Sequence, residues 1–103
     1  MIRFTVLYPA ADGLSFDMDY YLKTHIPLLQ KRMGAAMKDL RVERGVSGGA
    51  PGSPAPYVAM VHCTFDSVEA FETAFAPNAP EIEGDIPNYT KIRPVLQISQ
   101  VLV

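Results

Sequence analysis

DMDYYLKTHIPLLQKRMG, residues 17–34, is the stretch on which the reading of the whole chain depends. On a helical wheel of about 100° per residue, Met18, Tyr21, Leu22, Ile26, Leu28, Leu29 and Met33 share one arc, and Asp19, Lys23, Thr24, Gln30 and Lys31 lie opposite. That is an amphipathic helix with one face on a core. Asp17 stands where an N-cap is needed, acidic Asp19 suits the first turn, and Gly34 suits the end. Two polar side chains, His25 and Arg32, project from the middle of the apolar arc, where a polar group needs a partner, a ligand or water. Pro27 falls on the polar side, where water replaces the lost backbone hydrogen bond and the helix is free to bend. The spacing predicts a helix arched over an internal space, with His25 facing it.

Working outward, Ile2, Phe4, Val6 and Tyr8 alternate with Arg3, Thr5 and Leu7, the period of a strand with one buried face, and Pro9 and Gly13 end it. A second strand of half-solvated character follows from about Asp39 to Ser47. Residues 47–56, SGGAPGSPAP, hold three Gly and three Pro and form a loop. It lacks the Gly-Lys-Ser/Thr ending of a phosphate cradle. YVAMVHCTF, residues 57–65, is apolar on both sides, as expected of a central strand covered on both faces. Asp66 to Glu69 reads as a capping box opening a second helix, whose stripe is Val68, Phe71, Ala74 and Phe75 and which stops before Pro77. Pro80, Gly84 and Pro87 break residues 78–89 into a turn or short helix and an irregular crossing, and Lys91 to Val103 alternates as a long last strand.

The order β-α-β-β-α-β is that of a ferredoxin-like α+β fold: a four-stranded antiparallel sheet with both helices on one face. Right-handed crossovers put the first and third strands at its centre. Two helices cover only one face, so the doubly apolar third strand predicts a homodimer joined through the other.

The chain has 103 residues, 49% hydrophobic and 19% charged, which fits one domain spanning 1–103. Its net charge of −2 is spread without a basic cluster, so neither nucleic acid nor an anionic membrane is an expected partner. The beginning lacks a signal-peptide pattern and no apolar run reaches the roughly 18 residues of a membrane span, so a cytoplasmic location is expected. Cys63 is the sole cysteine, which rules out an internal disulfide and a thiolate metal cage. Without a dinucleotide fingerprint or ligand-spaced cluster, no cofactor and no metal are expected. His25, His62 and Asp85 meet the ligand count of a facial iron triad, but nothing in their spacing enforces it.

FDMDYYLKTHIPLL (16–29), VERGVSGGAPGSPAPYVAMVHCTFDSVEAF (42–71) and DIPNYTKIRPVLQIS (85–99) together resemble the EthD family of the dimeric α+β barrel superfamily. The resemblance covers essentially the whole chain. It implies a dimer whose two sheets face each other, with a pocket in each subunit between sheet and helices. The founding member is associated with bacterial degradation of ethyl tert-butyl ether. Superfamily relatives include muconolactone-type isomerases, cofactor-free monooxygenases and haem-binding enzymes, which makes a catabolic oxidoreductase or isomerase the implied activity.

His25 and His62 are the candidate catalytic residues. A histidine in an apolar pocket titrates near neutrality and can act as general acid or base; tied to a backbone carbonyl it is only core. His62 shares a strand face with Met60 and Thr64 and meets His25 only if that face carries the helices. Candidate substrate-binding residues are Tyr21, one turn before His25; Arg32, a cation for a carboxylate; and Asp85 and Tyr89, flanking Pro87 at a pocket mouth. Two function classes follow. One is a cofactor-independent isomerase- or monooxygenase-like enzyme for a small apolar or aromatic metabolite; the other is a non-catalytic dimer that sequesters such a ligand.

Overall fold

The computed structural model describes residues 1–103. Strands β1 (Ile2–Pro9), β2 (Asp39–Arg44), β3 (Tyr57–Phe65) and β4 (Val95–Gln100) form one antiparallel sheet in the order β2-β3-β1-β4. Its helices are α1 (Met18–Tyr20), α2 (Ile26–Met33), α3 (Val68–Phe75) and α4 (Ala79–Gly84). The expected α+β architecture is therefore present, with β1 and β3 at the centre. No helix is long and apolar enough to cross a membrane.

The organising stretch is not one regular helix. Asp17 caps α1, accepting the Tyr20 N–H at 3.1 Å. Residues Tyr21–His25 then widen into a π turn, in which the Ile26 N–H reaches back five residues to the Tyr21 carbonyl. In this wider turn each residue advances by less than the α-helical 100°, which re-phases everything before Ile26. Tyr21 swings to the centre of the core and is fully buried, while Leu22, inward on a regular wheel, is 46% exposed. Pro27 enters in the first turn of α2, where its missing N–H is tolerated. Gly34 ends the helix at φ 55°, a backbone state that glycine adopts without strain.

Strand pairing sorts the side chains into two faces. Phe4 opposes Cys63 and Ile98, and Val6 opposes Val61 and Leu96; these face the helices. Tyr8, Phe65, Phe71, Ile26, Leu29 and Met33 complete the core on that side. On the other face, one apolar row of Met60, Leu7 and Val95 runs among Arg3, Thr5, His62, Thr64, Arg41, Glu43 and Gln97. That face is mixed rather than apolar, which corrects the reading of β3 as hydrophobic on both sides: its cross-strand neighbours are largely polar. Several boundaries also differ: β2 ends at Arg44 rather than near Ser47, and β4 at Gln100 rather than Val103. Ser67, not Asp66, caps α3, accepting the Ala70 N–H at 3.0 Å. β4 begins only at Val95, after Pro94, because residues 85–94 instead cross the sheet end and bridge Phe16 at Thr90.

Candidate functional site

Two polar side chains, one just before α2 and one within it, meet two acids, one on α4 and one at the start of the crossing segment. Arg32 Nε and Nη2 donate to Glu81 at 2.6 and 3.1 Å, and His25 Nδ1 lies 2.9 Å from Asp85 Oδ2. Seven residues separate the pair on the helix and four separate the acids on and after α4, so both spacings place like partners on one side. The segment itself is stapled down: the Asp17 N–H donates to the Tyr89 carbonyl at 2.8 Å, and Thr90 Oγ1 donates to the Ser15 carbonyl at 2.8 Å.

The two pairs differ in environment. Arg32 and Glu81 are solvent-exposed, and Arg32 does not border the internal cavity, so its expected role as a substrate-binding cation is corrected: the arc position carries the long side chain past the core edge to Glu81. His25 is only 5% exposed and stacks parallel to Tyr21 with ring centroids 5.6 Å apart, while Tyr89 packs on it at 4.7 Å. Asp85 is held by three donors, since Tyr20 Oη and Asn88 Nδ2 reach its Oδ1 at 2.6 and 2.9 Å. Burial opposes the charge of Asp85, but these hydrogen bonds outweigh it and hold the carboxyl below its usual range. Burial lowers the His25 pKa from its ordinary value, and the hydrogen bond and charge of Asp85 only partly offset this. The imidazole is thus neutral at pH 7, and a carboxylate at Nδ1 selects the tautomer with the proton there, leaving Nε2 as an acceptor.

Nε2 has no protein partner, and His25 borders a cavity of about 260 Å³ between helices and sheet. Its wall is mostly apolar, built from Phe4, Val6 and Val61 of the sheet and Ile26 and Leu29 of α2. Glu83 and Arg93 bring the charged groups to the lining. Cys63 also lines it, but burial, aided by the charge of Asp39, pushes its thiol up to about 12, so it stays protonated and unreactive. Tyr21 borders the same space; its hydroxyl is buried without a hydrogen-bond partner and stays protonated, because burial raises its pKa well above the ordinary value. Tyr8 and Tyr89 share a hydrogen bond between hydroxyls at 2.6 Å.

Of the expected site residues, the fold brings together His25, Tyr21, Asp85 and Tyr89. It does not bring His62. That side chain projects from the opposite sheet face, with Nδ1 3.2 Å from Thr5 Oγ1 and Nε2 3.3 Å from Glu43 Oε1, so its expected catalytic pairing with His25 is corrected by the strand register. His25, His62 and Asp85 do not converge, and no group of three metal-ligating side chains does. Tyr20, Asn88 and Tyr8 were not singled out in the sequence. A tyrosine on the buried face of β1 does signal a need for a hydroxyl partner, but Tyr20 lies 65 residues of chain from Asp85, and Asn88, only three residues from it, carries no pattern that marks it.

A ferredoxin-like α+β chain with a histidine–aspartate pair against an apolar cavity defines the class. The EthD domain model matches residues 14–92, and the chain belongs to that family. It is similar over 99% of its length to the crystal structure of an EthD-like protein from Ralstonia eutropha JMP134, at 45% identity, 92% coverage of that chain and a TM-score of 0.93. An ethyl tert-butyl ether d (EthD) family protein from Bacillus halodurans C-125 shares the fold at 19% identity, with 99% of each chain covered and a TM-score of 0.69. So does a dimeric ferredoxin-like protein of unknown function from Jannaschia sp. CCS1, at 17% identity, with 98% of this chain and 100% of that one covered and a TM-score of 0.62. No functionally curated protein matches the chain.

Proposed function

We propose that this protein is a cofactor-independent enzyme that moves a proton on a small apolar or aromatic metabolite held between sheet and helices. The observation that carries the reading is His25: neutral, fixed at Nδ1 by Asp85, and with Nε2 unpartnered beside an apolar cavity. About 260 Å³ is room for one substituted ring, given that a 150 Å³ apolar cavity already binds benzene.

In the step that follows, Nε2 takes a proton from carbon or hydroxyl, and Asp85 stabilises the imidazolium that forms. The electron pair left on the substrate moves towards its oxygen, and we assign the protonated Tyr21 hydroxyl, buried without a protein partner on a residue that borders the cavity, as the neutral donor for that charge. Returning the proton to a different carbon completes an isomerisation. An oxygenation would begin with the same proton removal and use dioxygen as co-reactant. We place the enzyme, a single unit over residues 1–103, in the cytoplasm and in catabolism, as a homodimer. The apolar row of Met60, Leu7 and Val95 on the open sheet face and the dimeric ferredoxin-like relative support the dimer. Sedimentation at micromolar concentration should give roughly twice 11.3 kDa.

The test is deuterium wash-in from heavy water into a panel of ring-containing ketones and phenols, with wild type beside His25→Ala. Exchange, isomerisation or oxygen uptake that vanishes in His25→Ala supports the enzyme. Ligands that bind at His25 with none of the three identify a sequestering protein instead.

A further inference from the structure

The cavity beside His25 shares part of its wall with a second space. Phe4, Phe75 and Leu96 also bound a second, shallower concavity of about 370 Å³, which continues along the helix side of β4 to Phe71 and Ile98. Both spaces are lined mainly by apolar side chains, with His25, Glu83 and Arg93 as the polar members of the first and Gln97 of the second. β4 is an edge strand that the helices leave partly uncovered, so Leu96 and Ile98, which point to the helix side, remain 51% and 42% exposed. Residues two apart on a strand extend the apolar path by about 7 Å.

We infer that the site takes an elongated amphiphile: a ring-sized polar head at His25 and an alkyl tail of several carbons laid along Phe75, Leu96 and Ile98. This rests on the reading of the His25 cavity as the substrate site, and adds the shape of the substrate. The shared wall names the occupant: Phe4, Phe75 and Leu96 line both spaces, so a tail laid beside them stays on apolar side chains from one space to the next. Dimerisation through the open sheet face leaves this groove free, since it lies on the other side of the sheet. On the helix side of this edge strand, the strip also explains why two half-exposed aliphatic residues stand where polar ones protect edges elsewhere.

The experiment is calorimetric binding of ethyl-, butyl-, hexyl- and octylphenol, whose hydroxyl can donate to Nε2. Affinity should rise roughly two- to fourfold for each methylene added until the groove ends. Ile98→Thr, which keeps a β-branched residue in the strand, should leave ethylphenol affinity unchanged and flatten the gain for hexyl- and octylphenol. An affinity independent of chain length, or a gain untouched by Ile98→Thr, overturns the inference while leaving the His25 site standing. Failure of every phenol to bind removes both. If Ile98→Thr instead halves the sedimenting mass, a second copy of the chain covers the strip, and the tail assignment is wrong.

Discussion

The two histidines of this chain stand on opposite faces of one sheet, and the contrast between them separates a site from a residue type. His62 is anchored at both nitrogens, by Thr5 and Glu43, on a face shared with arginines and threonines. Its lone pair and proton are already engaged. His25 has one nitrogen engaged by a carboxylate and the other free beside an apolar space. Catalysis by an imidazole needs that asymmetry: a fixed tautomer on one side and an unsatisfied acceptor on the other.

The largest expected effect breaks the contrast directly. His25→Ala should lower turnover by roughly 10²- to 10⁴-fold, and His62→Ala should leave it within about twofold, measured under saturating substrate. Asp85 keeps Tyr20 and Asn88 in the His25 variant, so its carboxylate is not orphaned. The melting temperature should therefore fall by only a few degrees, roughly 5 °C. Loss of activity in His62→Ala alone would move the chemistry to the other face.

Asp85→Asn sharpens the same point with a smaller cost. An amide nitrogen turned to Nδ1 would force the proton to Nε2 and remove the base, so turnover should fall about 10²-fold or more while the fold melts cooperatively. Wild-type activity in Asp85→Asn would show that tautomer selection is not what the carboxylate contributes.

The pH response is the next effect in size. The folded His25 pKa is lowered, so protons bind the unfolded state first on acidification. Stability is whole above the ordinary value of 6.5 and declines as pH falls from there towards the lower folded value. The Asp85 pKa is lowered too, and its contribution is present above 3.8 and lost below it. The acid limb of kcat/KM should accordingly have its midpoint below 6.5. A midpoint above 6.5 would mean that Asp85 outweighs burial.

The smallest effect concerns Tyr21. Its hydroxyl is buried without a partner, so Tyr21→Phe should melt at or slightly above wild type while slowing turnover. A clear loss of stability in that variant would mean that the hydroxyl is bonded in the folded protein.

Much of this was legible in the sequence because it is local. Alternation in β1, the cap at Asp17, the stop at Gly34 and the β-α-β-β-α-β order each depend on neighbours a few residues apart. What escaped depends on geometry that a pattern does not carry. A wheel assumes 100° per residue, and the π turn at Tyr21–His25 breaks that assumption, which is why Leu22 was placed inward and is not. In YVAMVHCTF both alternating sets contain apolar residues, so the face of His62 was undetermined until the strand was paired with β1. Asp85 could be read as a site residue from DIPNY, but its bond to His25 spans sixty positions and waits on the path of the crossing segment. Arg32 looked equivalent to His25 at the same wheel position; about two turns of helix further on, the cavity has ended and Glu81 is waiting.

Nitrogen-detected NMR of the His25 ring tests the central claim most directly, because it needs no substrate. At pH 7 the account predicts a neutral imidazole with the proton on Nδ1, a bare Nε2 and a titration midpoint below 6.5. A proton on Nε2 at pH 7, or a ring still charged there, would contradict it.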